Sequence, residues 1–206
     1  MQFSQNNEQQ IILDYFGSHI GYLLDIGAND GVTFSNSRQL LLNGWSGTLV
    51  EPVPACVDKL SVLYMSNPYV TILPFAVGAP DCADFTEFHV SGFHLPDRSD
   101  DALLSSMLPT ERLKWEQRGV QFTTIDVPTL SLAQIFRHIT KPVDFVSIDV
   151  EGMDLVVLKQ LDLTNVKLLC IEHNSDDALL DAMRRYAFCF EMREIYKSGE
   201  NVIFAK

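Results

Sequence analysis

Apolar and polar positions alternate along the chain with two periods, and each change of period marks an element. Leu23, Leu24 and Ile26 form an apolar run interrupted only by Asp25, the pattern of a strand buried on both faces. "SGTLVEP" (46–52) predicts a second strand closed by Pro52, and "YVTILPFAV" (69–77) a third. Before the first strand, Ile11, Ile12, Tyr15 and Phe16 recur at helical spacing. "FSNSRQLLLNG" (34–44), ended by Gly44, and "PACVDKLSVLYM" (54–65) predict the helices between strands. A βαβαβ order is the mark of a parallel sheet with right-handed crossovers.

The rhythm then breaks. "CADFTEFHVSG" (82–92) and "VQFTTIDVPTL" (120–130) both alternate like strands, and they flank a polar stretch, 93–119, with a helix expected from Pro109 to Arg118. That is too much chain for an ordinary connection, and long loops in compact domains are usually functional. A mobile cover over an acceptor is the expectation for 91–119. Afterwards "SLAQIFRHI" reads as helix, "VDFVSID" as strand, "MDLVVLKQL" as helix, "KLLCIEHN" as strand and "DDALLDAMRRY" as helix. "FCFEMREIY" and "ENVIFAK" end the chain as two strands around a "KSGE" turn. The expected architecture is one α/β domain over 1–206. It has a roughly seven-stranded, mostly parallel sheet, a C-terminal antiparallel hairpin, and an insertion at about 79–128 before the fourth core strand.

Composition narrows the partners. Fifteen Lys and Arg against 27 Asp and Glu give a net charge of −12 in 206 residues. That argues against a nucleic-acid partner, whose affinity rests on Lys/Arg–phosphate contacts, and against docking on anionic lipid. Cys56, Cys82, Cys170 and Cys189 show no paired spacing, so reduced thiols are expected rather than disulfides or zinc. The first twenty residues lack a basic start followed by an apolar stretch, and no apolar run reaches transmembrane length. A cytoplasmic protein without a membrane span is the expectation.

In open parallel sheets ligands bind beyond the carboxyl ends of the strands. Asp25, Glu51, Ala76, Asp149 and Glu172 stand at those ends. "LLDIGANDG" follows its strand with two glycines four apart, which lets the backbone turn sharply beside a ligand. The G-x-x-x-G spacing is not the dinucleotide G-x-G-x-x-G. A loop without Lys or Arg suits a cofactor carrying an amine and a sulfonium better than a pyrophosphate. Glu51 is placed to accept both ribose hydroxyl hydrogens, as the corresponding acid does in dinucleotide folds. In "IDVEG", Asp149 and Glu151 could hold a substrate hydroxyl, bind a metal, assist a proton transfer or cap a helix. His173 in "IEHN" is the best placed of five histidines to act as a base near neutral pH. His89 and His94 flank the insertion, and Arg98, Arg112, Trp115 and Arg118 within it are candidate substrate contacts.

"DIGANDG", "VEPVP", "VDFVSIDVEGMDLVVLKQL" and "LLCIEHN" together resemble the FkbM family of S-adenosylmethionine-dependent methyltransferases, from about Leu23 to Asn174. The resemblance implies a class I methyltransferase (Rossmann-like) fold and transfer of a methyl group to a hydroxyl of a small molecule or sugar. It implies that Asp25, Gly27, Asn29 and Gly31 hold the methionine part of the cofactor, Glu51 the ribose, and Ala76 with Val77 the adenine. The family's serine pair corresponds to Ser105 and Ser106. Asp149 and His173 are then the catalytic candidates, with Glu151, Ser106 and Glu172 facing the acceptor. Asp149 with Glu172 or Asn174 is also similar to the Mg²⁺ site of catechol-type methyltransferases, so Mg²⁺ stays an open alternative to the histidine base. Two other readings remain: a nucleotide-cofactor enzyme of another class, and a non-catalytic S-adenosylmethionine-binding module.

Overall fold

The computed structural model describes residues 1–93 and 101–206. His94 and Arg98, both singled out above, lie outside the described residues. The strands are β1 (Tyr22–Ile26), β2 (Ser46–Val50), β3 (Val70–Leu73), β4 (Ala76–Gly78), β5 (Phe85–Ser91), β6 (Phe122–Ser131), β7 (Phe145–Ile148), β8 (Leu168–Glu172), β9 (Arg193–Lys197) and β10 (Asn201–Ala205). The helices are α1 (Glu8–Phe16), α2 (Arg38–Leu42), α3 (Pro54–Tyr64), α4 (Pro109–Glu116), α5 (Leu132–Ile135), α6 (Asp154–Leu158) and α7 (Asp177–Phe188).

Seven strands form one sheet in the order β3-β2-β1-β7-β8-β10-β9. All its pairings are parallel except those of β10 with β8 and β9. The chain runs outward from β1 to β3, then returns to β7 on the other side of β1. That reversal opens a crevice between the β1 and β7 ends, the place where such sheets bind ligands.

Strand periodicity divides the core. Leu23 faces Ile12, Phe16, Leu40 and Leu60 of α1 to α3. Leu24 and Ile26 face Leu132, Val157, Leu180 and Met183 of α5 to α7. Side chains alternate faces along a strand, so Asp25 points to the α1–α3 side with Leu23.

Three expectations need correction. "YVTILPFAV" is not one strand. Pro74 cannot donate to the ladder, so β3 ends at Leu73 and β4 starts a second sheet, ordered β4-β6-β5. The inserted strands pair there, β5 antiparallel and β4 parallel to β6. The helix in "FSNSRQLLLNG" is only Arg38–Leu42, because Ser35 and Ser37 spend their hydroxyls on local contacts. "FCFEMREIY" becomes strand only from Arg193, since α7 runs on to Phe188. The helix expected at 109–118 is present as α4, but its residues are not buried in the core.

The tightest constraint lies where β1 meets β7. Gly27 has φ +87, and a Cβ there would lie 1.7 Å from the Asp149 carbonyl oxygen. Gly27→Ala is expected to destabilise the fold by more than about 2 kcal/mol, since a left-handed alanine alone costs about 1–2 kcal/mol and the methyl meets backbone. A urea midpoint equal to wild type would contradict this.

Candidate active site

A cavity opens at the crevice between the sheet's carboxyl edge and the insertion. Gly27 and Asn29 from the β1 turn, Glu51 after β2, and Ala76 and Val77 of β4 line it. Asp149 and Glu151 after β7 and Ser105 of the insertion complete its polar rim, with Phe75, Phe88 and Met107 among its apolar walls. Among the described residues, no Lys, Arg or His lines it.

Backbone hydrogen bonds fix the rim. The amides of Gly27 and Ala28 donate to Val50 O at 2.9 and 3.1 Å, and Asp149 N donates to Ile26 O at 2.9 Å. Glu51 is held at both oxygens: Asn29 N donates to Oε2 and Val53 N to Oε1, each at 2.8 Å. A carboxylate has about four acceptor positions, so both oxygens keep capacity for a ligand. Burial pushes the Glu51 pKa up to about 7, opposed by those two amides.

Asp25 takes a different place. Its carboxylate accepts the Ser37 hydroxyl at 2.5 Å, away from the cavity lining. Register places it beside Ser147 of β7, whose side chain also bonds to it. Burial pushes its pKa up to about 6. Gly31 also stands outside the lining: it is left-handed, and a Cβ there would meet Leu60 at 2.6 Å. Both residues shape the loop from behind. Asp30 closes that loop by accepting the amides of Val32 and Thr33 at 2.8 Å.

After β7 the chain makes a sharp turn, with Glu151 at φ 48 and Gly152 at φ 98. Asp154 clamps it by accepting Val150 N and Gly152 N, each at 3.0 Å. The insertion braces it from above. Ser106 Oγ donates to Glu151 O at 2.6 Å and accepts Leu108 N at 3.0 Å. Ser105 instead receives the Ser91 amide at 3.0 Å. A bridge between His89 and Ser106 sews this segment to β5, and Asn29 Nδ2 reaches Asp101 O at 3.4 Å.

Asp149, Glu151 and Glu172 converge, and the other two carboxyls crowd Asp149. Burial, then the charges of Asp154, Asp25 and Glu51, pushes the Asp149 pKa up to about 8. Glu151 and Glu172 are raised well above the usual carboxylate range, by burial first and by Asp149 next. Asn174, left-handed at φ 46, hydrogen-bonds the Glu172 side chain.

His173 is elsewhere. It follows Glu172 and so faces the opposite side, beside the Ser198–Asn201 turn, and it does not line the cavity. Burial lowers its pKa, partly offset by the Ser198 and Asn201 backbone, and among the described residues no group meets hydrogen-bond geometry at either ring nitrogen. Arg112 pairs with Glu116 and Arg118 stacks on Trp115, both away from the cavity lining. Sequence reasoning missed Ser37 and Asp154. Their signal was a hydroxyl and an acid at the starts of short helices.

A family model, the methyltransferase FkbM domain, matches residues 25–192. The chain belongs to the FkbM methyltransferase family. Among curated proteins, none matches it in sequence. Its fold is similar to a methyltransferase FkbM from Methylobacillus flagellatus KT, at 13% identity and TM-score 0.54, over 91% of this chain and 44% of that one. The FkbM chain described here therefore spans less than half the length of that relative. It is also similar to a ribosomal protein L11 methylase from Lactobacillus delbrueckii subsp. bulgaricus (7% identity, TM-score 0.51, 96% and 75% covered) and to the human methyltransferase 10 domain containing protein (12%, 0.51, 97% and 79%). At these identities the likeness concerns the fold, a class I methyltransferase sheet. Family membership implies S-adenosylmethionine as methyl donor. No described helix of this FkbM domain is long and apolar enough to cross a membrane.

The buried acids set a pH dependence. Asp25 and Glu51 have folded pKa values of about 6 and about 7, above their ordinary 3.8 and 4.5. The folded state therefore binds more protons than the unfolded chain between these limits, so stability falls as pH rises. His173, with its lowered pKa, acts in the opposite sense at the acid end. In ligand-free, metal-free buffer, urea unfolding should show stability lower at pH 8 than at pH 5 by several kcal/mol. Stability flat or rising across that window would contradict the placement of these carboxyls.

Proposed function

We propose that this domain transfers a methyl group from S-adenosylmethionine to a hydroxyl oxygen of a small molecule or sugar. The observation that carries the reading is Glu51: a buried carboxylate fixed by two backbone amides, with free acceptor capacity, on a cavity that leads to Asp149. When bound, the cofactor supplies an electrophilic methyl on a positively charged sulfur.

The residues present fit that cofactor. Glu51 would accept both ribose hydroxyls. Phe75, Ala76 and Val77 offer an apolar seat for adenine, and the turn at Gly27 and Asn29 the place for the methionine part. Asp25 and Gly31 contribute by holding the turn. Among the described residues, carboxyl groups rim the cavity without an opposing cation, which favours a positively charged cofactor and a neutral acceptor over a phosphate-bearing one. A glycan, polyol or other small hydroxyl compound fits this better than a nucleic acid.

Methyl transfer to a hydroxyl needs alignment of the acceptor and removal of its proton. Ser105 and Met107 of the insertion, with Glu151, would orient the acceptor, and Ser106 would hold Glu151 through its carbonyl. The proton acceptor in this reading is a carboxylate of the Asp149 cluster, because burial and like charge raise its basicity. His173 faces away from the cavity, which gives it no direct part.

Calorimetry tests the reading. The protein should bind S-adenosylhomocysteine and not NAD. Glu51→Ala should weaken that binding by about 1.5–3 kcal/mol, the scale of hydrogen bonds to a charged group. Unchanged affinity in Glu51→Ala would remove Glu51 from the ribose site. Incubation with labelled S-adenosylmethionine and a panel of sugars, polyols and amines should label a hydroxyl oxygen. Label found solely on nitrogen would overturn the acceptor class.

A further inference from the structure

The carboxylate cluster has features that a proton acceptor alone does not require. One oxygen from each of Asp149, Glu151 and Glu172 lies within 4.8 Å of the other two. Glu151 and Glu172 are only 8% and 7% exposed, yet among the described residues no N–H or O–H donor reaches Oε2 of either. Buried polar atoms are nearly always matched, so unmatched ones call for a ligand or a specific role. Among the described residues, the basic group that acts on Glu151 is Lys114, and it is already paired with Glu111 at 2.8 Å.

The backbone is bent to produce this convergence. Glu151 is left-handed, an uncommon state for a non-glycine residue that points to a functional constraint. Ser106 and Asp154 hold the turn in that state. Asn174 hydrogen-bonds the Glu172 side chain, as a partner that orients a metal ligand does.

We propose that Asp149, Glu151 and Glu172 form a binding site for a hard divalent cation of the Mg²⁺, Mn²⁺ or Ca²⁺ class. Three oxygen donors, with neither sulfur nor imidazole, select such ions over zinc or copper. Two ligands of one ion stand at most twice the metal–oxygen distance apart, about 4.2 Å for Mg²⁺ and about 4.8 Å or more for Ca²⁺. Three oxygens that all lie within 4.8 Å of one another need a modest closure to gather around one such ion. Asp149 and Glu151 line the cavity, so open coordination positions would face an acceptor hydroxyl and make it more acidic. The proposal deepens the methyltransferase reading, with the bound cation acidifying the acceptor hydroxyl in place of a free carboxylate base, but its test uses neither cofactor nor acceptor.

The intact protein, freed of metal with a chelator, is titrated with Mn²⁺ alone and then with Mg²⁺ and Ca²⁺, by calorimetry and by thermal unfolding. The expected result is saturable binding of one ion with a raised melting temperature. Asp149→Asn and Glu172→Gln should each weaken it at least about tenfold, and the exposed Asp58→Asn should leave it unchanged. A measurement without variants stands beside this: Mn²⁺ should broaden the amide resonances of Val150, Glu151 and Gly152 selectively in the wild type. Absence of saturable uptake, uptake unaffected in Glu172→Gln, or broadening centred on other residues would overturn the proposal. S-adenosylhomocysteine binding measured with the chelator present reads the methyltransferase assignment separately.

Discussion

The site depends on how closely the end of β1 approaches the end of β7. Gly27 lies against the Asp149 carbonyl with no room for a side chain, while its own amide and that of Ala28 converge on Val50 O. Three parallel strands thus end within reach of one turn. That convergence sets Asn29 under Glu51 and Glu51 across the crevice from Asp149. Without it the carboxylates would end on separate, solvated loops with ordinary pKa values.

Burying several acids at one edge of a sheet has a cost that the rest of the molecule partly offsets. Each of Asp25, Glu51 and Asp154 accepts hydrogen bonds from nearby amides or hydroxyls. Asp149, Glu151 and Glu172 face one another, with Glu172 hydrogen-bonded to Asn174 and to Asp149. The insertion contributes to both groups: Ser106 braces the Glu151 turn, and Asp101 meets Asn29. A segment that breaks the βα rhythm therefore serves as the outer wall of the site. Burial and mutual repulsion hold these acids toward their protonated forms, and a positively charged ligand would favour their ionisation.

Much of this was legible in the residue pattern. β1, β7 and β8 are dense apolar runs, and the final hairpin carries its turn in "KSGE". The short helices and the second sheet were less so. Pro74 sits inside what reads as one strand, and only the ladder shows that its missing N–H diverts the chain. Glu51 and Gly27 were readable because a residue just past a buried strand, or a glycine in a forced turn, has one plausible place. Asp25 was harder: the period-2 alternation carries it to the α2 side, where Ser37 waits twelve residues on. His173 illustrates the same limit. Two adjacent residues at a strand end face opposite ways, and the sequence marks both Glu172 and His173 as chemically able. Only packing decides that the glutamate turns toward Asp149.

The central claim is that the β1–β2–β7 crevice is the cofactor site, with its ribose end at Glu51 and its reacting end at Asp149. A crystal structure with S-adenosylhomocysteine tests it most directly. The account predicts the ribose hydroxyls on the Glu51 carboxylate, adenine beside Ala76 and Val77, and the sulfur directed toward Asp149. Ligand density elsewhere, or in this crevice with Glu51 unengaged, would contradict it.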